Sequence, residues 1–435
     1  MGIGQDIHEF AKLLWPLNRS ITGDGIRATL SEIQKLLPTL EIIEVKTGTT
    51  AFDWTIPREW RVRDAYIITP DGEKICDFKK NNLHLVGYST PIAMQMDLIE
   101  LQNNLHSLPN QPTAIPFVTS YYQECWGFCI SHNDRTKLVD GTYKVYIDSE
   151  LFDGSLTYGE LIIKGETEEE VLISTYVCHP SMANNELSGP TIATFIAKWL
   201  ISNSNNIYTY RFIFIPETIG SIYYLSRNID HLKNSVVAGF VLTCLGDNRE
   251  YSYLPSRNGS TLSDLVAKHI LKHICPTFKK YKWADRGSDE RQFCSPGIDL
   301  PIASIMRTKY GEYPEYHTSL DDLENVVTPA GLQGGYNVIK ETLIALEKNL
   351  YPVVNTLCEP QLGKRGLYPT LSTKESCSET ALMMDVISWS DGSKSLIEIA
   401  EKCGVPIWEL YPIIDRLFEN DLLILNSKST IFYPN

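Results

Sequence analysis

Val171-Leu172-Ile173-Ser174-Thr175-Tyr176-Val177-Cys178-His179-Pro180 continues through Ser181-Met182-Ala183-Asn184-Asn185-Glu186-Leu187-Ser188-Gly189 into Pro190–Leu200. Its first seven residues are mostly apolar and rich in β-branched and aromatic side chains, the pattern of a strand buried on both faces. A polar loop carrying one imidazole follows, then an apolar run at helical spacing. Strand, loop and buried helix in that order predict an α/β sheet covered by helices on both faces. In open sheets of this kind, sites form where strands end. Working outward, Leu161–Ile163, Tyr210–Ile215, Val236–Leu242 and Pro301–Met306 read as further strands, with helices at 260–274 and 329–346. Segments 6–18 and 24–37 have helical spacing, and Asp24 is placed as an N-cap.

The texture changes on either side. Short β-prone runs such as Ala65–Ile68 and Tyr143–Ile147, separated by Pro70-Asp71-Gly72 and Asp140-Gly141, mark a β-rich insertion over 57–150. The main α/β domain is thus expected from 1–56 and 151–348. Beyond a proline-containing linker, 379–389, 394–402 and 406–419 read as helices, and Leu422–Leu425 and Thr430–Tyr433 as strands. That order predicts a winged helix-turn-helix within 349–435.

The chain has 435 residues, 43% of them hydrophobic, and a formal charge of −14. Between Glu379 and Asn435 nine acidic side chains face four basic ones, so the winged helix lacks the phosphate-neutralising charge of a DNA reader. No nucleic-acid partner is expected; self-association through this domain, or control of access to a cleft, is. No apolar run reaches the roughly 18 residues of a membrane span. The first residues lack a signal-peptide layout, and ten cysteines without a CxxC pair read as reduced thiols. A cytoplasmic protein without a membrane partner is the expectation.

Three segments carry chemistry. His179 sits at a strand end and reads as a metal ligand or as a hydrogen-bonded loop histidine. Glu217, in Phe214-Ile215-Pro216-Glu217-Thr218, is a carboxylate directly after a buried strand, suited to general-base work or to a helix start. Glu315-Tyr316-His317-Thr318-Ser319-Leu320-Asp321 places a second imidazole ahead of an acid that could orient it, or a capped helix start. His269 and His273, an i, i+4 pair flanked by Lys268 and Lys272, read as a solvated basic face.

Taken in order, His179, Ala183-Asn184-Asn185 with Ser188-Gly189, Glu217, the neighbourhood of Asp247, Ser288-Asp289 and Tyr316-His317-Thr318 with Asp321 resemble the co-catalytic zinc aminopeptidases of clan MH. The closest resemblance is to a branch with a β-rich insertion and a C-terminal winged helix, associated with peptidase and polysaccharide-biosynthesis labels. The resemblance implies a zinc-exopeptidase-like sheet and one or two zinc ions held by His179, Asn185, Asp247 and His317, with Glu217 as general base. Tyr316, Arg257 and Asp289 are its candidates for touching substrate. Asn185 stands where the family bridges two metals with an aspartate, and Thr218 where it has a second glutamate; neither supplies an anion. The implied reaction removes an N-terminal residue from a small peptide or aminoacyl conjugate. The other reading is a protein that keeps the cleft for binding in surface-polysaccharide assembly.

Overall fold

The computed structural model describes residues 2–203, 205–368 and 374–425, the side chains of 374–377 excepted. Its centre is an eight-stranded mixed sheet ordered 41–46, 155–163, 209–215, 170–176, 236–241, 302–306, 252–254, 279–280. Strand Glu170–Tyr176 pairs in parallel with Thr209–Ile215 on one side and Val236–Val241 on the other, and Val236–Val241 pairs in parallel with Ile302–Met306. Every residue of Glu170–Tyr176 and of Thr209–Ile215 is buried, as their composition predicts. The parallel strands therefore deliver their C-terminal loops, 177–187, 216–218, 242–247 and 307–321, to one edge of the sheet.

Helix Ser188–Ser202 starts against the sheet, and Gly189 explains how. A Cβ there would stand 2.3 Å from the Leu242 carbonyl and 2.5 Å from Thr175 Oγ1, so only glycine permits the approach. Helices Ile3–Leu14 and Pro329–Glu347 pack on each other and on Ser188–Ser202. Asp24 is not the N-cap. Gly23 holds that position with φ 103°, and Asp24 begins the helix with its carboxylate paired to Arg27 and Arg61.

Residues 59–152 form a second, antiparallel sheet in the order 74–75, 59–68, 142–152, 92–97. A strap from this region, Ile115–Thr119, lies outside that sheet and joins the loop around His317 through a bridge between Pro116 and Thr318.

The C-terminal helices are Lys374–Trp389, Leu396–Cys403 and Ile407–Glu419. The expected wing hairpin differs: Leu423–Leu425 pairs antiparallel with the linker strand Pro352–Val354, and Thr430–Tyr433 lies outside the described residues. Among the described residues no helix is long and apolar enough to cross a membrane, and the nine cysteines described are free.

His269 is not on a solvated face. It is 1% exposed, where helix Leu262–Ile274 meets the winged helix. Its Nε2 accepts the Ile407 backbone N–H at 2.9 Å, so Nδ1 carries the proton and donates to Glu401 at 2.6 Å. Lys272 holds the other Glu401 oxygen at 2.8 Å, and His273 packs edge-on against Trp408. Burial pushes His269 below its ordinary pKa, with Glu401 opposing. Above about pH 6.5 the ring is neutral in both docked and undocked chains. Below it, the undocked ring takes a proton more readily, so docking weakens as pH falls. His269→Ala should cost about 1–3 kcal/mol by stranding the Ile407 amide. The check is proteolysis of the 355–368 linker, faster in the variant and faster at pH 5.5 than at 7.5 in the wild type. Equal rates at both pH values would refute the pH dependence.

Candidate active site

Three of these sheet-end loops carry the candidate groups. His179 follows strand Glu170–Tyr176; its Nδ1 donates to Glu186 at 2.8 Å, which leaves the Nε2 lone pair free, 3.7 Å from the Glu217 carboxylate. Glu186 is in turn 3.4 Å from the guanidinium of Arg19, both side chains being fully buried. Arg19 also donates to the carbonyls of Leu14 and His179, so the N-terminal segment braces the imidazole from behind. Burial raises the Glu186 carboxyl, and the Arg19 guanidinium opposes it.

Glu217 follows strand Thr209–Ile215. Its N–H donates to Cys178 Sγ at 3.3 Å, and the Thr218 N–H donates to Asp289 at 2.8 Å. The turn is thereby fixed on both sides, with Thr218 at φ 65°. Burial first, then the Asp289 carboxylate, push Glu217 up to about 8. Asp289 is pushed by burial to about 6. The Thr218 hydroxyl is taken by Arg291 at 2.7 Å.

His317 comes from the loop after Ile302–Met306 and has φ 56°. The Asn185 amide donates to its Nε2 at 3.3 Å, while Tyr176 donates to Asn185 Oδ1 at 2.9 Å. Asp321 accepts from the backbone N–H groups of Asn184 and Asn185 at 2.7 and 3.0 Å, which locks the loop. The two imidazole centroids are 5.7 Å apart. Burial pushes both rings down to about 3, so each is neutral, with a lone pair to offer. Four non-glycine residues of these loops, Ser181, Thr218, Cys244 and His317, have positive φ. Strain of this kind collects at functional sites.

The structure brings His179, Asn185, Glu217, Asp289, Tyr316 and His317 together at one edge of the sheet, Tyr316 stacking on His317 at 3.8 Å. Two expectations need correction. Asp247 is not free to ligate a metal: its oxygens accept from Asn184 Nδ2, the Arg249 and Thr308 N–H groups and the Thr308 hydroxyl. It braces the loop through Asn184 instead. Arg257 is paired with Asp299 at an exposed position, and Arg291 is the guanidinium beside Glu217. Arg19, Cys178 and Phe117 also stand at the site, and no sequence signal marks them. Arg19 lies 160 positions from His179, and no local pattern links them.

A divalent ion such as zinc takes neutral imidazoles and carboxylates. His179 has the orienting carboxylate partner that metal-bound histidines carry. His179 and His317 are the two imidazoles that would hold one such ion beside Glu217, although the ligand atoms of the three do not all lie within 4.8 Å of one another, so the site would have to draw in to grip it. A pair of ions fits poorly, because Asn185 and Thr218 bring no charge and Asp247 is fully engaged. Cys178, His179 and Glu186 also cluster, but Arg19 already supplies the cation there and burial keeps the Cys178 thiol protonated.

A Clostridium acetobutylicum protein named "Putative polysaccharide biosynthesis protein with aminopeptidase-like domain" is 46% identical over 97% of this chain and 96% of its own. The crystal structure of a "putative peptidase" from the same species matches with TM-score 0.92 at 45% identity, covering 98% of this chain and 97% of that one. A zinc aminopeptidase from Bacillus subtilis shares the fold at TM-score 0.55 and 12% identity, over 79% of this chain and 94% of that one. Residues 349–424 match a winged helix-turn-helix family. Residues 8–349 match the family described as "Domain of unknown function (DUF4910)", and the chain, with its aminopeptidase-like fold, belongs to it.

Proposed function

We propose that the cleft hydrolyses the bond after the first residue of a small peptide or aminoacyl conjugate, with one zinc ion held between His179 and His317. The observation that carries this reading is the partly buried Glu217 carboxylate, 3.7 Å from the free Nε2 of His179. When bound, zinc would polarise the scissile carbonyl and acidify water. Glu217 takes the proton from the attacking water and returns it to the leaving amine, a task matched by a carboxyl raised toward neutrality. Asn185 would complete the set by turning its amide over, Oδ1 replacing Nδ2 toward His317 while Tyr176 accepts instead of donating. Asp289, whose Oδ1 accepts the Thr218 N–H next to Glu217, is the carboxylate that would receive the substrate ammonium.

Metal content tests this directly. Protein purified without chelator should hold about one zinc per chain, lost in a His179→Ala/His317→Ala double variant, and should release the first residue from aminoacyl anilides. Failure to take up zinc at neutral pH would overturn the hydrolase reading. The second reading, a binding protein in surface-polysaccharide biosynthesis, draws on the name of the Clostridium relative. It is favoured by Asn185 and Thr218, whose side chains are tied to Tyr176 and Arg291 where carboxylates would serve metals. An inert protein that binds saccharide precursors would support it.

A further inference from the structure

The strap Ile115–Thr119 from the insertion is bonded on both sides. The Phe117 N–H donates to the His317 carbonyl at 2.9 Å, the Ser319 N–H to the Ile115 carbonyl at 2.9 Å, and the Ile115 N–H to Ser319 Oγ at 3.0 Å. On its other side the Gly87 N–H donates to the Val118 carbonyl at 2.9 Å. This fixed backbone places the Phe117 ring 5.3 Å from the centroid of His179 and 5.3 Å from that of His317. With the imidazoles 5.7 Å apart, the three rings form a nearly equilateral triangle. A carbonyl reaching the histidine pair beside Glu217 must bring its substituents against that ring.

We infer that Phe117 is a specificity-determining residue: it forms the wall against which the side chain of the released residue packs, and it selects apolar or aromatic side chains over acidic ones. The inference rests on the hydrolase reading above. Phe117 offers no donor or acceptor, so a polar side chain pressed against it loses water without recompense. The carboxylates of Glu217 and Asp289 add repulsion toward an acidic one.

The test compares Leu-, Phe-, Ala- and Glu-anilides on the wild-type protein, Phe117→Ala and Phe117→Leu, alongside a measurement that needs no activity. That measurement is carbethoxylation of His179 and His317 by diethyl pyrocarbonate in metal-free protein, followed by peptide mass spectrometry. The wild type should prefer Leu and Phe over Glu. Phe117→Ala should lose about 10–200-fold of that preference, and Phe117→Leu should restore most of it. Phe117→Ala should also label both histidines several-fold faster, while Phe52→Ala, at an exposed site, leaves labelling unchanged. Unchanged selectivity in an active Phe117→Ala, or unchanged labelling, would overturn the inference. Absence of hydrolysis in every form, with labelling still faster, would overturn the hydrolase reading and keep Phe117 as the wall of the histidine pair.

Discussion

Glu217→Gln should lower kcat/KM by about 10²–10⁴-fold with KM little changed, the ordinary worth of a positioned proton carrier. The substitution keeps the shape and removes only the ability to exchange a proton. The turn that holds it does not depend on the carboxylate, since the Glu217 and Thr218 N–H groups are fixed to Cys178 and Asp289. Stability should therefore hold or rise slightly, because a carboxyl that burial pushes up to about 8 is costly to ionise and its amide is not. Activity loss without stability loss separates a reacting group from a structural one. Steady-state kinetics on the best anilide and urea unfolding give the two numbers. A variant retaining half of wild-type activity would remove Glu217 from the chemistry and leave Asp289 as the carboxylate to examine.

Much of this arrangement is legible in the sequence because its signals are local. Val171–Val177 and Tyr210–Ile215 announce buried strands by composition, and the residues that follow them are the site residues by position alone. His179 and Glu217 are read this way. What is not legible depends on contacts across the chain. Asp247 looks like a free carboxylate after a strand, yet Thr308, 61 residues on, consumes both its oxygens. His269 looks solvated beside its lysines until Glu401 and Ile407 of the winged helix close over it. Phe117 carries no motif. Its role follows only from a strap of the insertion that bonds to a loop 204 residues later.

Arg19→Met should destabilise the fold by about 3–5 kcal/mol, the cost of breaking a buried ion pair by removing one partner. Arg19 is 1% exposed, and its guanidinium does three things at once. It faces Glu186, and it donates to the carbonyls of Leu14 and His179. Methionine fills the volume but strands a carboxyl and two carbonyls where water does not reach. If Glu186 escapes by taking a proton, the anion that receives the His179 Nδ1 proton is lost, and the free Nε2 lone pair is no longer assured. Zinc uptake should therefore fall together with stability. A second substitution separates the two effects. In Arg19→Met/Glu186→Gln the stranded charge is gone, so stability should recover in part, since contacting residues are non-additive. Zinc uptake should not recover, because a neutral amide fixes the imidazole less firmly than a carboxylate. Urea unfolding and zinc titration of the three variants decide the matter. A stability change within about 0.5 kcal/mol for Arg19→Met would mean that the pair contributes no more than an ordinary surface contact. The N-terminal helix would then be packing on the site without supporting its chemistry.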